Sequence, residues 1–117
     1  MSPRLFKTKR FAMQAAKAWI DDELREAFTE MLNGQADNLG GGVWKKHLNA
    51  NRHRAIVLAK GGHHWVYQFL YAKPDQANIS QAELIGFRKM AKTYEGLTAM
   101  QVQYLLDTKA FLEITYE

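Results

Sequence analysis

Residues 40–73 read GGGVWKKHLNANRHRAIVLAKGGHHWVYQFLYAK, and this stretch decides the fold because its apolar side chains recur with a period of two. Successive side chains on a strand point to opposite faces. Over Val43 to Leu48, Trp44, Lys46 and Leu48 therefore share one face, and Val43, Lys45 and His47 share the other. Arg54 to Ala59 is a β-branched apolar run, and Lys60-Gly61-Gly62-His63 has the glycines that a short hairpin connection requires. His64 to Lys73 is the longest predicted strand: Trp65, Tyr67, Phe69, Tyr71 and Lys73 line one face, opposite Val66, Gln68, Leu70 and Ala72.

Upstream, Pro3 to Lys9 predicts an opening strand, and Phe11, Ala15, Ala16 and Trp19 recur at the spacing of a short helix. A second helix is marked by Leu24, Ala27, Phe28, Met31 and Leu32. Asp21, Asp22 and Glu23 put negative charge at its N-terminus, where the dipole favours it, and Asn33-Gly34 stops it. A loop then leads to Gly40-Gly41-Gly42. Downstream, Pro74 ends the long strand. Ser80-x-x-Glu83 is a capping box flanked by Ile79 and Leu84 as a hydrophobic staple, and Thr98-x-x-Gln101 with Leu97 and Val102 repeats the device after Gly96. Phe111 to Tyr116 predicts a closing strand. The order is βαα, three strands, two helices and a strand, which predicts an α+β fold: a small antiparallel sheet packed against helices, adjacent strands antiparallel.

The chain has 117 residues, enough for one core and too few for two domains of ordinary size, so residues 1–117 are expected to form a single domain. Without cysteine, a disulfide scaffold, a thiolate metal site and a cysteine nucleophile are all excluded, and a reducing compartment fits. No apolar run reaches the length of a signal peptide or a membrane span, so a soluble, cytoplasmic protein without a membrane partner is expected.

The net charge of +4 is unevenly placed. Residues 1–37 carry six basic and six acidic side chains, and residues 75–117 carry four and six. Between Asn38 and Pro74 lie Lys45, Lys46, Arg52, Arg54, Lys60, Lys73 and all four histidines, with no carboxylate. A block of one sign makes a local positive field that attracts polyanions, most often nucleic acid; a solvated basic face is the plainer alternative.

Standard catalytic signatures are absent: the sequence has no P-loop, no G-x-S-x-G elbow and no H-E-x-x-H pair. His63 and His64 are sequence neighbours that would point apart, with no carboxylate or thiolate near them in sequence, so no metal site is expected and both read as hairpin-surface residues. An acid pair is not expected either, since the basic block contains no carboxylate. His47 and His53 flank the connection between two strands, among Lys45, Lys46, Arg52 and Arg54. The aromatic face of the long strand reads first as core. Its outer member Tyr71, nearest Lys73, is placed to stack on a base or donate to phosphate.

Asp37-Asn38-Leu39-Gly40-Gly41-Gly42-Val43-Trp44-Lys45-Lys46 resembles the D-x-L-G-G-G-V-[YW]-K-K stretch of RelE/HigB-type toxins of type II toxin–antitoxin systems, in the RelE/ParE superfamily. Phe6-Lys7-Thr8-Lys9, Phe69-x-Tyr71-Ala72-Lys73, Ala77-Asn78-Ile79-Ser80-x-x-Glu83 and Leu112 to Ile114 fall where that group's further motifs fall, so the resemblance spans nearly the whole chain. It implies an mRNA interferase, an endoribonuclease that cuts mRNA, commonly on the ribosome, without a cofactor, and is neutralised by a cognate antitoxin. Family basic positions map by motif to Lys45 and Lys46, to Arg54, and to Lys73. Two departures stand out: Gln76 occupies a position where relatives usually carry arginine, and the short link ahead of Arg54 leaves Arg52 as its alternative.

Metal-free RNA cleavage needs a proton acceptor for the 2′-hydroxyl, a cation for the phosphorane and a donor for the leaving 5′-oxygen. Arg54, with Arg52 as substitute, suits the phosphorane; Lys46 or Lys45 suits the base or phosphate-orienting role, and His47 or His53 the acid. The choice between the two lysines depends on which sheet face is open. Two other readings keep the fold and change the function: a nucleic-acid-binding protein without catalysis, and a ParE-like toxin that blocks DNA gyrase through protein contacts.

Overall fold

The structure, a computed structural model, describes residues 3–15, 21–48, 52–60, 64–73, 76 and 78–115. Thr8 ends the first strand, β1 (Arg4–Thr8), and starts helix α1 (Lys9–Ala15): its hydroxyl accepts the Phe11 N–H at 3.0 Å, which caps the helix one residue earlier than the strand was expected to stop. Ala16 and Trp19, expected to continue that helix, lie outside the described residues, as do His63 and Tyr116. Helix α2 (Asp21–Leu32) has its three acids in the first turn, and Gly34 follows it with φ +87°. Then come β2 (Asp37–Gly40), β3 (Val43–Leu48), β4 (His53–Lys60), β5 (His64–Ala72), α3 (Gln81–Glu95), α4 (Ala99–Asp107) and β6 (Phe111–Ile114). Both capping boxes form as the sequence predicts.

The sheet has six strands in the order β2-β3-β4-β5-β1-β6. Two features differ from expectation. β1 pairs in parallel with β5, the one parallel pairing beside four antiparallel ones among the described residues. Leu5 and Phe6 are consecutive, so they point to opposite faces, and both are buried. A strand apolar on both sides belongs inside a sheet, and β1 accordingly sits between β5 and β6. The loop before the glycines also contains a short edge strand, β2, whose Asp-Asn-Leu-Gly composition carries no alternation to announce it.

Apolar clusters form on both sides of the sheet. Phe11, Leu24, Ala27, Phe28 and Met31 of α1 and α2 join Leu5, Ala55, Val57 and Tyr67. Ala91, Tyr94 and Val102 of α3 and α4 join Phe6, Val43, Ile56, Leu58 and Val66.

The aromatic row of β5 is divided between these clusters. Ile56 pairs with Phe69 but Val57 pairs with Tyr67, so Gln68 is an extra residue in β5, a bulge. Trp65 and Tyr67 consequently lie in the α1/α2 cluster, whereas Phe69 and Tyr71 lie in the α3/α4 cluster. The single aromatic face expected from strict alternation is thus corrected. Polar groups support the bulge: Gln68 Oε1 accepts the Tyr94 hydroxyl at 2.6 Å, and the Leu70 N–H donates to Gln14 Oε1 at 3.0 Å.

Candidate nucleic-acid interface

The site begins at the glycine turn that launches β3. Gly40, Gly41 and Gly42 have φ of +84°, +65° and +83°, a run that residues with a Cβ rarely adopt. Arg88 of α3 lies across this turn and donates from Nη2 to the Leu39 carbonyl at 2.6 Å. A Cβ on Gly41 would come within 2.7 Å of Arg88 Cγ. The turn and its arginine clamp fix the register in which β3 enters the sheet, and register decides which lysine reaches which face.

On the α3 side, three neighbouring strands place His47, Arg54 and Tyr71 in one row, since His47 pairs with Arg54 and Arg54 with Tyr71. Lys45, paired with Ile56, is the next residue of β3 on that face. Arg54 and Tyr71 are only 7% and 6% exposed. Arg54 Nη1 donates to the His53 carbonyl at 3.2 Å. Lys45 Nζ donates to Asn78 Oδ1 at 3.3 Å and lies 3.7 Å from Asp37 Oδ2, which is 3.9 Å from His47 Nε2. The buried Tyr71 hydroxyl has no hydrogen-bond partner among the described residues. Burial pushes its pKa up; Arg54 opposes that rise, and the Glu83 carboxylate adds to it. Beside it, Phe69 lies with its ring centroid 5.9 Å away and its plane tilted by 30°, and carries the exposed guanidinium of Arg10 4.8 Å above its ring.

The other predicted site residues are elsewhere. Lys46 points to the opposite face, is 8% exposed, and its Nζ meets Glu30 Oε1 of α2 at 3.0 Å. His53 pairs with Leu48 and Ala72, which places it on the α2 side too. Arg52 and Lys73 are exposed at the end of the β4–β5 ladder nearest Arg54, joined by the Lys73 N–H donating to the Arg52 carbonyl at 2.9 Å. His64 is not a bare surface residue: its ring stacks on Phe6 at 5.6 Å.

Sequence reasoning missed three participants. Asp37 and Glu83 bring carboxylates to the cationic face from outside the basic block, the first by strand pairing and the second from the first turn of α3. Arg10 belongs to a segment whose charges sum to zero, so composition did not flag it. Among the described residues no group of three or more His, Cys, Asp or Glu side chains could hold a metal ion, and no helix is long and apolar enough to cross a membrane.

Fold and face together define an α+β protein whose mostly antiparallel sheet carries a row of cationic and aromatic side chains on its α3 side. The family model for the RelE toxin of the RelE/RelB toxin–antitoxin system matches residues 3–114, and the chain belongs to that family. Comparisons with curated proteins and with solved structures return no match.

Proposed function

We propose that the protein is a metal-independent endoribonuclease that cleaves mRNA on the ribosome and is held in check by a cognate antitoxin. The observation that carries this reading is the row His47, Arg54, Tyr71 across three strands, with Lys45 beside it. RNA supplies its own nucleophile, so the protein must place cations where the phosphorane charge develops and supply proton transfer on either side. Arg54, largely buried and held from the His53 carbonyl, takes the phosphorane. A desolvated, pre-positioned guanidinium offers two parallel N–H groups to phosphate oxygens. Lys45 orients the phosphate, His47 protonates the leaving 5′-oxygen, and Arg52 and Lys73 hold flanking phosphates. Lys46 serves α2 through Glu30.

Tightly controlled expression followed by mapping of mRNA 5′ ends tests the reading. New ends and growth arrest are expected, and intact message at full expression would overturn it.

A second reading, binding without cleavage, draws on Gln76. Its Nε2 donates to the Asn78 carbonyl at 3.0 Å, so a neutral amide stands where relatives usually carry arginine. Four phosphate contacts to single-stranded RNA would give a log–log salt slope of about −3. That slope without product, on free and ribosome-bound RNA alike, would favour the second reading.

A further inference from the structure

We infer that Glu83 is the proton acceptor for the attacking 2′-hydroxyl, an assignment that rests on the ribonuclease reading and adds to it the base. The first argument is a comparison inside the chain. In α3, Glu83 Oε1 accepts the Ser80 N–H at 2.8 Å and the Glu83 N–H donates to Ser80 Oγ at 3.1 Å. In α4, Gln101 Oε1 accepts the Thr98 N–H at 2.8 Å and the Gln101 N–H donates to Thr98 Oγ1 at 3.1 Å. The two boxes are geometrically the same, so a neutral amide closes the cap as well as a carboxylate does.

Their surroundings differ. The α4 box opens beside Leu97, Met100 and Tyr104, an apolar patch. The α3 box opens on the cationic face: Asn78, two residues before the cap, receives Lys45, and Ile79 packs in the cluster that holds Tyr71. The Glu83 carboxylate acts on Tyr71 of β5, whose pKa it helps to raise, and the same face of the sheet carries Lys45 and His47 of β3, Arg54 of β4 and Asp37 of β2. Asp37 is already shared by Lys45 and His47 and is largely exposed. Glu83 is half-buried, its Oε1 is fixed by the cap, and among the described residues its Oε2 accepts no hydrogen bond. That oxygen is an acceptor held by the cap on the side of the sheet that carries Lys45, His47 and Arg54.

In the step assigned here, the 2′-hydroxyl proton passes to Glu83 as the O2′–P bond forms. The P–O5′ bond breaks and the 5′-oxygen takes a proton from His47. The products are a 2′,3′-cyclic phosphate and a 5′-hydroxyl, with no change in oxidation state.

The helix dipole also favours an acid in this turn, so the test must separate catalysis from capping. Glu83→Gln keeps the cap, as Gln101 does. The full chain and its Glu83→Gln variant are compared on a short mRNA, free and on ribosomes. The expected result is a melting temperature close to the parent's, a kcat lower by about 10²–10⁴-fold and KM within about twofold. Parental kcat would overturn the inference and leave the nuclease reading standing. Glu83→Asp is the second variant, keeping a carboxylate at the cap but shortening its reach: parental kcat in it overturns the inference even if Glu83→Gln fails to fold. No cleavage by the parent on either substrate would remove both readings.

Discussion

Lys45 and Lys46 are consecutive in β3 and are anchored on opposite sides of the sheet, Lys45 by Asn78 at 3.3 Å ahead of α3 and Lys46 by Glu30 at 3.0 Å on α2. The alternation of a strand makes this separation unavoidable. It also divides the labour: one lysine shares its face with Arg54 and Tyr71, and the other joins a helix to the sheet.

Lys45→Ala is expected to slow RNA cleavage at least tenfold while leaving the urea unfolding midpoint nearly unchanged. Lys46→Ala is expected to do the reverse and cost about 1–2 kcal/mol of stability. That cost combines lost packing of the buried stem with an ion pair weakened by the exposure of Glu30. Measured side by side, the opposite pattern would mean that the catalytic lysine is on the α2 face.

Arg54→Ala is expected to lower cleavage by about 10²–10³-fold, the usual loss when a donor to developing charge is removed. Arg54→Lys is expected to recover little of it, because a point charge replaces a planar fork. RNA binding by either variant reads the ground-state contact separately, and wild-type cleavage by Arg54→Lys would rule out a bidentate role.

Much of the fold was legible because it is written locally. Ser80 with Glu83 and Thr98 with Gln101 specify helix starts within four residues, and Trp44, Lys46 and Leu48 alternate as a strand must. The bulge at Gln68 was not legible. It is a relation between β4 and β5, and nothing in the composition of β5 marks it, so alternation alone puts Phe69 and Tyr71 on the face of Trp65 and Tyr67. The parallel place of β1 is likewise set by a partner sixty residues away, although adjacent Leu5 and Phe6 were a signal of burial on both faces. For the site, the basic block was visible as a run. That Lys45 and Lys46 have different partners was not visible there, because it depends on Glu30 of α2 lying against Lys46. Arg10, Asp37 and Glu83 come from segments that look balanced until the chain folds.

Gly41→Ala is expected to destabilise the protein by about 1–3 kcal/mol. The backbone there has φ +65°, where a Cβ costs about 1–2 kcal/mol by itself, and that Cβ would meet Arg88 Cγ at 2.7 Å. Arg88→Ala removes the steric part and leaves the backbone part. A double-mutant cycle should therefore show the two substitutions costing less together than their sum, by about 0.5–1 kcal/mol. Strict additivity in urea melts would show that Arg88 does not bear on the turn.

Alkaline pH should unfold the protein through its buried phenols. Tyr67 donates to the Leu24 carbonyl at 2.7 Å in the α1/α2 cluster, and burial, with Glu30 adding to it, pushes its pKa upward. Burial pushes Tyr94 up to about 12, against a partial opposing effect of its bond to Gln68. Both folded values exceed the ordinary phenol value of 10.0, so the unfolded chain releases these protons first. Their contribution to stability is complete below about pH 10 and is lost as pH rises towards and through the folded values. Each phenol adds up to about 1.4 kcal/mol per pH unit to that decline. Urea unfolding between about pH 9 and pH 12 should give a shallower fall for Tyr94→Phe than for the parent, the difference between the two levelling near pH 12, and a shallower fall for Tyr67→Phe over the whole range. Parallel curves for parent and variants would show that other groups carry the alkaline transition.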